Sequence, residues 1–531
     1  MNCRLLNCPE FSLLSREKNI FNPEALLEAF TMVFTLKCLY WLVVGVVVGV
    51  GVGAMPGLTA PTGVALMIPL TFTMNIASAL ALLIGLYKGA VYGGSISAIS
   101  FATPGSPEAA ATVYDGYKLM KRGQGRKAAL MALYASVTGD TLSDIITIGV
   151  APALAVVALK FGPTERFWLV VLACTLLSSL TGAHPAKGML SASLGFFLGT
   201  IGIDPVAMVS RMTFGIWWIQ DGIQFIPMMI GIFAISRMLE GTVELLKERR
   251  ITQKAKESFA KLLMKSGPGL TFKEYIRCWK EILIGLGVGT FAGTLPGLGA
   301  TVGAFLSYSA AKQISPQKKI GTGVLEGIAA AESGNNSTVG PTLIPLLAFG
   351  IPGSATAALI GGALMLQGAT PSPQMFEQYP QVVYALFVIL FFGNFVNLGV
   401  GRVFAGLYAR LGQLPRQILI PLIFMMAIIG SYSFRENPYD VIVMLIFGFI
   451  GYILRVLRIP DAPMVITFLI TPMMEANLRR ALLINRGDWI QALFHSSLAI
   501  GLFFSCLILA FLAIRFEASK RLGIEVSKVK Q

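Results

Sequence analysis

Charged residues are scarce in this chain. Of its 531 residues only 13% are charged, 55% are hydrophobic, and the mean hydropathy is +0.71. A soluble protein of this length needs far more polar surface, so the composition excludes a soluble globular protein. Apolar stretches recur between residues 38 and 514, and they are long enough to cross a hydrocarbon layer of about 30 Å many times. The chain is therefore predicted to be a membrane protein.

Histidine and cysteine are also few. The two histidines, His184 and His495, lie far apart, and the six cysteines are scattered without a CxxC pair. This distribution argues against a metal cluster and against a disulfide framework. The sequence has no HExxH or GxSxG motif, so an enzyme within the membrane would lack its metal site or its activated nucleophile. We expect no enzyme activity and no cofactor.

The apolar stretches have the length of helices rather than of ten-residue alternating strands. They predict an all-α polytopic membrane protein with about ten to twelve transmembrane helices. The long hydrophilic segment 237–280 carries eleven Lys and Arg against five Glu, which places it in the cytoplasm by the positive-inside rule. Such loops account for the net charge of +15, so no nucleic-acid partner is expected.

This hydrophilic segment divides the chain near its middle. The first residues, MNCRLLNCPEFSLLSREKNI, lack the apolar core and cleavage site of a signal peptide. The predicted parts are an N-terminal extension (1–28), a first membrane repeat (29–236), a basic cytoplasmic linker (237–280), a second membrane repeat (281–514) and a C-terminal tail (515–531).

The two halves share motifs in the same order. Residues 49–63, GVGVGAMPGLTAPTG, align without gaps with residues 289–303, GTFAGTLPGLGATVG. Further on, FATPGSPEAAATVYDGY (101–117) in the first half matches FGIPGSATAALIGGA (349–363) in the second. Two shared motifs in one order indicate an internal duplication.

Loop charges indicate how the two repeats are oriented. The segment 118–127 after the first PGS motif is strongly basic, whereas 369–381 after the second has no Lys or Arg. Conversely, 72–79 is uncharged and its counterpart 312–319 is basic. Corresponding loops are therefore expected on opposite sides of the membrane, which predicts an inverted-topology repeat like those of many secondary transporters.

Each shared motif interrupts an apolar stretch with proline and glycine. A helix that stops inside a membrane leaves backbone groups without partners, so such breaks persist in protein-lined or wet cavities. We expect half-helices to begin at Thr59 or Ala60, at Ser106, at Thr301 and at Ser354, with their N-termini close together. Their amides would bind a carboxylate, and carbonyls of the preceding half-helices would bind sodium. The alternative is that proline and glycine only kink membrane helices.

Charged residues also occur within the apolar stretches, where they are functional candidates by default. Lys88 is one; its alternatives are snorkelling to an interface or pairing with Glu326 or Glu332. Asp140 and Asp144 lie one turn apart on an apolar helix. For them a proton or ion site and a role in helix packing both remain open.

Several motifs together resemble those of the large membrane subunit of the tripartite tricarboxylate transporters. They are GAMPGLTAPTG (53–63), YGGSISAISFATPGSP (92–107), ESGNN (332–336) and PLLAFGIPGSATAA (345–358). The resemblance implies an elevator-like fold of inverted repeats with re-entrant hairpins and discontinuous helices. It also implies a permease of the bacterial inner membrane, driven by a cation gradient that is commonly sodium, with protons as the alternative.

The same resemblance implies partners and a substrate class. The partners would be a small membrane subunit and a periplasmic solute-binding protein, and the substrate would be a di- or tricarboxylate. An ion channel or another carrier with broken-helix ion sites is the alternative, although a channel would normally build its filter from several copies around an axis. The internal inverted repeat favours the transporter.

The helix breaks, the nearby polar residues and the resemblance predict one site for the substrate and its cation. The predicted substrate-binding residues are Gly57, Thr59, Thr62, Ser95, Ser97, Thr103, Gly105, Ser106, Gly297, Thr301, Asn335, Asn336, Ser337, Thr338, Gly353, Ser354 and Thr356. The predicted sodium ligands are Pro56, Gly57, Thr103, Pro296, Asn336, Gly350 and Pro352.

Overall fold

The computed structural model describes residues 22–55, 58–102, 104–180, 185–204, 209–248, 268–411 and 416–529. Among these residues the chain is almost entirely helical, which confirms the prediction of an all-α polytopic membrane protein. Six of the described helices are long and apolar enough to span a membrane: Leu36–Ala54, Ile76–Phe101, Gly125–Leu159, Phe225–Val243, Pro380–Ala405 and Pro438–Val456. The total number of crossings and the domain boundaries stay predictions.

The first half of the chain contains ten α-helices and one two-stranded sheet among the described residues. The helices are α1 (Pro23–Val33), α2 (Leu36–Ala54), α3 (Ala60–Met67), α4 (Ile76–Phe101), α5 (Ala110–Lys121), α6 (Gly125–Leu159), α7 (Pro163–Leu180), α8 (Pro185–Gly199), α9 (Phe225–Ile230) and α10 (Ser236–Glu248). Strands β1 (Gly202–Ile203) and β2 (Ser210–Arg211) pair antiparallel, with Gly202 opposite Arg211.

The second half continues with helices alone in its described part. They are α11 (Phe272–Arg277), α12 (Trp279–Thr294), α13 (Gly299–Ile314), α14 (Leu325–Asn336), α15 (Leu343–Phe349), α16 (Ala355–Leu366), α17 (Met375–Gln378), α18 (Pro380–Leu411), α19 (Arg416–Ser433), α20 (Pro438–Val456), α21 (Asp461–Ile484), α22 (Trp489–Phe494) and α23 (Ser497–Val529). Short 3-10 turns occur at Ile68–Thr73, Pro107–Ala109, Trp217–Ile219 and Pro316–Lys318.

Helix α4 is the centre of the first half. Asn75 caps its N-terminus by accepting a hydrogen bond from the Ser78 amide at 2.9 Å. Apart from Lys88, its residues are apolar, aromatic or small on every face, and all residues from Ala77 to Ser100 are buried, as expected of a helix surrounded by other helices. It ends at Ala102, whose φ of 52° is left-handed.

Helices α2 and α3 form a hairpin that packs on α4. Gly45, Gly49 and Gly53 of α2 lie directly against carbonyl groups of α4, so that a Cβ on any of them would collide with backbone. The Leu58 amide donates to the Met55 carbonyl at 3.2 Å, and α3 packs along α4. Gly63 of α3 contacts α2 and α4 together, since a Cβ there would lie 3.1 Å from Val52 Cγ1.

The same arrangement recurs in the second half. Helices α12 and α13 form a hairpin on α14, and a Cβ on Gly293 of α12 would lie 2.9 Å from the Thr338 carbonyl oxygen. Gly289 of α12 lies against the Gly334 carbonyl, as Gly49 of α2 lies against that of Leu86. The chain turns at 295–298. Glycines therefore allow two helices to approach at backbone distance in both halves.

Helix α5 of the first half packs against α14 of the second half and runs in the opposite direction. Thr112 of α5 contacts Glu332 of α14, and Lys118, further along α5, donates to the Gly321 carbonyl before α14 at 2.6 Å. The two basic segments 118–127 and 312–324 thereby lie together. Their counterparts, which have no Lys or Arg, begin close together, because Gln367 Nε2 donates to the Thr71 carbonyl at 2.9 Å. This fits the loop charges, and inversion across a bilayer stays a prediction.

A second group of helices packs beside the two hairpins. It includes α7, α8, α21 and α23, and Trp168 of α7 donates to the Leu493 carbonyl at 2.8 Å. Ion pairs join α21 to the short sheet: Arg211 donates to both carboxylate oxygens of Glu475, at 2.6 and 3.0 Å. The tip of the second hairpin rests on this group, at Leu177 of α7.

Candidate functional site

The first helix break lies against the tip of the first hairpin. Beyond α4 the Gly105 amide donates back to the Gly94 carbonyl of that helix at 3.4 Å. Gly105 also touches the Gly53 carbonyl, so a side chain at 105 would collide with it. The break and the last turn of α2 therefore meet through backbone alone.

The second break repeats these contacts. The Gly353 amide donates to the Thr342 carbonyl at 3.2 Å, and a Cβ on Gly353 would lie 3.1 Å from the Gly293 carbonyl oxygen. The Gly297 amide at the hairpin tip donates to the Gly353 carbonyl at 3.1 Å. Helix α15 ends at Gly350, whose φ of 73° is left-handed. The predicted residues Pro296, Gly297, Pro352 and Gly353 are thus brought together.

Each break also faces the hairpin of the other half. The turn Pro107–Ala109, which follows the first break, packs against α13, and α16, which follows the second break, packs against α3. Each break is therefore joined to the hairpins of both halves. The elements in contact contain predicted site residues from four separate parts of the sequence: 59–62, 105–106, 297–301 and 353–356.

Three of the four predicted helix starts lie where expected. Ser354 precedes α16, and its Oγ accepts a hydrogen bond from the Ala357 amide at 3.1 Å. Ser106 precedes the turn Pro107–Ala109, and Thr59 precedes α3. Neither Ser106 nor Thr59 forms a side-chain cap with a described residue; instead Thr59 Oγ1 lies 3.1 Å from Thr62 Oγ1.

The fourth predicted start is wrong. Helix α13 begins at Gly299 with Leu298 before it, so Thr301 lies within the first turn and does not cap. The reason is the second glycine of the tip. Gly297 and Gly299 both take positive φ, 92° and 56°, so the chain completes its turn earlier than in the first hairpin.

Four predicted polar residues, Asn335 to Thr338, are completely buried at the end of α14. Thr338 Oγ1 donates to the Asn335 carbonyl at 2.7 Å. The Asn335 side chain is different, because neither its Oδ1 nor its Nδ2 has a hydrogen-bond partner among the described residues. A buried polar group without a partner costs about 1–3 kcal/mol, so an unsatisfied carboxamide in a protein core calls for a ligand or water.

Asn336 is bound within the protein rather than facing the hairpin tips. Its Nδ2 donates to Ser136 Oγ of α6 at 2.8 Å and to the Glu332 carbonyl at 3.1 Å. Ser136 also donates to Glu332 Oε2 at 3.2 Å. This polar cluster joins α14 to α6, and sequence reasoning missed its partner Ser136.

The other predicted residues are distributed as follows. Ser97 Oγ donates to the Gly94 carbonyl at 3.0 Å, and Thr62 Oγ1 donates to the Phe233 carbonyl at 3.1 Å. Ser95, Ser337 and Thr356 are buried beside the breaks. Pro56, Gly57 and Thr103 lie outside the described residues.

Lys88 corrects the expectation for its partners. It is completely buried, and its Nζ donates to Oδ2 of Asp140 and to Oδ2 of Asp144, each at 2.8 Å. It neither snorkels nor pairs with the predicted glutamates: Glu326 pairs with Lys318 at 3.1 Å, and Glu332 bonds Ser136. In the sequence, the two aspartates one turn apart on α6 indicate a buried charged site. Their partner Lys88 comes from another helix, α4, and spacing along the chain does not identify it.

An open cavity of about 240 Å³ borders the second break. Phe349 and Ile351 of the break line it, together with Gln374, Arg166 of α7 and Arg480 of α21. Within the described part of the chain neither arginine forms an ion pair. Two uncompensated positive charges beside a cavity attract anions.

Paired helix breaks that meet inside an α-helical membrane bundle define a class of protein, the one to which secondary transporters belong. The chain belongs to the tripartite tricarboxylate transporter TctA family, whose family model matches residues 39–466. The resemblance found in the sequence is thereby confirmed.

Two relatives from Agrobacterium vitis support this assignment. One, described as an uncharacterized 52.8 kDa protein in the TAR-I ttuC' 3' region, is 33% identical over 497 residues, covering 92% of this chain and 97% of the relative. The other, described as an uncharacterized protein in the TAR-II ttuC' 3' region, is 36% identical over 228 residues, covering 42% of this chain and 94% of the relative. No solved structure matches the chain.

Proposed function

We propose that the chain is the large permease subunit of a binding-protein-dependent secondary transporter that imports di- or tricarboxylates by cation symport. Family membership makes it a membrane component of a transporter. The finer proposal rests on one observation: the second hairpin and the second helix break meet at backbone distance beside the segment 335–342, which begins with the buried Asn335 carboxamide that has no partner among the described residues. Its partners would be a small membrane subunit and a periplasmic solute-binding protein, and its location the bacterial inner membrane.

The region between the breaks has the chemistry to bind a carboxylate. Helix α16 begins there, and its first amides and the positive end of its dipole face the same region as Ser354. The Asn335 Nδ2 can donate a further hydrogen bond, and its Oδ1 can accept one or bind a cation. Recognition through amides needs no buried arginine, so the empty site carries little charge.

The preceding helix ends offer oxygen ligands for the coupling cation, for which we propose sodium. The Gly353 carbonyl of the second break accepts a hydrogen bond from the Gly297 amide. The Gly293 carbonyl at the end of α12 lies against Gly353, so carbonyl groups of the two elements are close together. Carbonyls at the C-terminal ends of half-helices carry partial negative charge, which suits a hard cation with oxygen ligands.

The packing supports transport by alternating access. Each hairpin is joined to its central helix at backbone distance, and α6 and α18 pack against these central helices. The hairpins, α4, α14, α6 and α18 would therefore move as a unit past α7, α8, α21 and α23. The substrate and its cation would travel between the tips. A channel would instead need a continuous pore, and its test is a single-channel current.

The experiment is uptake of radiolabelled carboxylates into proteoliposomes that contain the permease and its small subunit, with the binding protein outside. We expect saturable uptake that needs the binding protein. Asn335→Ala, Ser106→Ala and Gly353→Leu should abolish uptake while membrane insertion is retained. Asn485→Ala is the matched control, since that side chain bonds only its own helix, at the Ala481 carbonyl, among the described residues. Normal uptake by all three site variants would refute the site.

The coupling ion is tested separately. Replacement of sodium by choline on both sides should stop uptake if sodium is obligatory. Uptake that continues unchanged in choline would exclude sodium and leave the proton as the driving ion.

A further inference from the structure

A buried cluster of charged groups lies apart from the hairpin tips. Lys88 of α4 donates to Asp140 and Asp144 of α6, and to Asn394 Oδ1 of α18 at 3.1 Å. Asn394 Nδ2 in turn donates to Asp144 Oδ2 at 2.6 Å. All four side chains are at most 1% exposed. Gly393 makes room for the lysine, because a Cβ there would lie 3.2 Å from Lys88 Cδ.

The charges of this cluster do not balance. Two carboxylates face one ammonium group, so the cluster carries a net charge of minus one when every group is ionised. Oδ1 of Asp140 and Oδ1 of Asp144 are buried and have no hydrogen-bond partner among the described residues. A net charge with unsatisfied oxygens is unfavourable in a core surrounded by hydrocarbon. One added proton makes the cluster neutral.

The surrounding elements supply no second cation. The turn after α14 presents the Gly340 backbone to Asp144, and α18 presents Asn394. Tyr87 and Tyr92 of α4 are buried nearby, while Glu332 of α14 meets α6 at Ser136, one turn before Asp140. Glu108, in the turn after the first break, is a further acid on this side of α4. Within the described residues, Lys88 is the one cation that contacts the two aspartates.

We propose that this cluster is a proton-binding site and that the proton it takes up is a second coupling ion, transported with the carboxylate and sodium. The proposal rests on the transport function proposed above. Asp140 is the residue that binds the proton, because Asp144 Oδ2 accepts hydrogen bonds from both Lys88 and Asn394, whereas Asp140 Oδ2 accepts one, from Lys88. Asp144 stays ionised as the counterion of the lysine.

The step is a simple transfer. A proton from water on one side adds to the Asp140 carboxylate, and the same O–H bond breaks when the proton returns to water on the other side. The neutral cluster crosses the low-dielectric interior with the moving helices far more readily than the charged one. Asp144 also contacts Gly340, two residues before Thr342, whose carbonyl accepts from Gly353 in the second break. The proton site and the break are therefore in contact through one short segment.

The experiment follows proton movement during carboxylate uptake in the same proteoliposomes, with a pH-sensitive dye in the lumen and equal sodium on both sides. For the wild-type chain we expect lumenal acidification that accompanies uptake and stops without carboxylate. Asp140→Asn, which mimics the neutral cluster, should retain uptake but move no protons, and its uptake should no longer respond to an imposed pH gradient. Glu165→Gln is the control, a buried carboxylate of α7 bonded to Ser496.

Two results overturn the proposal: wild-type uptake without acidification, or acidification by Asp140→Asn equal to that of the wild type. If Asp140→Asn does not assemble, infrared difference spectra replace it. The wild type should then show a protonated carboxyl band that shifts in Asp140→Glu and not in Glu165→Gln; an unshifted band would refute the assignment. Absence of any carboxylate uptake would instead count against the transport function itself.

Discussion

The two halves of this protein have the same backbone contacts and different polar side chains. In each, a glycine-lined hairpin packs on a central helix, and a helix break folds back against the hairpin tip. Leu86 of α4 contacts Gly49 of its hairpin as Gly334 of α14 contacts Gly289, so Leu86 and Gly334 are equivalent positions. Two residues further along each central helix, Lys88 corresponds to Asn336. Lys88 binds two aspartates, whereas Asn336 binds the Ser136 hydroxyl.

The comparison teaches that the duplicated backbone leaves the chemistry of each half free to differ. A glycine contact constrains both partners, since any Cβ would collide with a carbonyl group. The polar positions one or two residues away can change from an amide to an ammonium group, provided that α6 supplies matching partners. Four predictions test the comparison, from the largest expected effect to the smallest.

The first prediction concerns the corresponding polar residues. Lys88→Met should destabilise the protein by about 3–5 kcal/mol, because it leaves two buried carboxylates without a counterion. Asn336→Ala should cost only about 1–3 kcal/mol, since it removes two neutral hydrogen bonds and leaves the Ser136 hydroxyl still donating to Glu332. Thermal unfolding in detergent measures both. Equal losses would show that the two positions are energetically equivalent after all.

The second prediction concerns the glycine contacts that the halves share. Gly53→Ala and Gly289→Ala should each cost about 1–3 kcal/mol, because the methyl group would collide with a backbone carbonyl of the central helix. Gly51→Ala and Gly287→Ala are matched controls in the same helices, with nothing within 4 Å of the added carbon. The same unfolding measurement applies, and a control as damaging as its partner would contradict the packing.

The third prediction concerns the cavity that borders the second break. Arg166→Ala and Arg480→Ala should raise the KM for carboxylate uptake roughly three- to tenfold and leave kcat unchanged, since exposed charges attract the anion without taking part in translocation. Arg486→Ala, outside the cavity lining, serves as the control. The effect should decline in high salt, and a fall in kcat with unchanged KM would exclude this role.

The smallest effect is expected at the basic end, where the first half meets the linker. Lys127 of α6 donates to Glu274 of α11 at 2.5 Å, and this bond, with the Thr271 backbone amide, lowers the pKa of Glu274 from 4.5 to about 2. A lowered carboxyl pKa gives stability that is present above 4.5 and is lost as the pH falls towards 2.

Lys127→Ala should therefore cost less than about 1 kcal/mol at neutral pH, because the pair is partly exposed and screened. The difference in unfolding temperature from the wild type should shrink between pH 6 and pH 3. A difference that is independent of pH would mean that Lys127 acts through packing rather than through the ion pair.

Much of the fold was predictable from the sequence because it depends on composition and on residues with strong backbone preferences. Helical membrane class, the duplication and three of the four helix starts follow from apolar length, proline, glycine and capping serine or threonine. The start at Thr301 was mispredicted because Gly299 supplies an additional left-handed residue, and cap rules alone do not show where a glycine-rich tip stops turning.

The partners of buried polar groups were not predictable. Asp140 and Asp144 were recognised as a pair, and Lys88 as a functional candidate, yet neither alternative for Lys88, snorkelling or pairing with a glutamate, named its actual partners. A side chain in a helical bundle bonds to whatever the packing of other helices brings within about 3 Å. Lys88 and Asn394 are far apart in sequence, and neither periodicity nor spacing indicates that they meet.

Sequence alone therefore identifies a helical membrane protein of the tripartite tricarboxylate transporter family, with four Pro-Gly motifs in two matching pairs. Apolar length and the φ preferences of glycine and proline are local properties and act wherever those residues stand. Only the tertiary structure decided that each break lies against a hairpin tip and that one ammonium group joins two aspartates. Hydrogen bonds and ion pairs require two groups at contact distance, and that distance is set by the packing of whole helices.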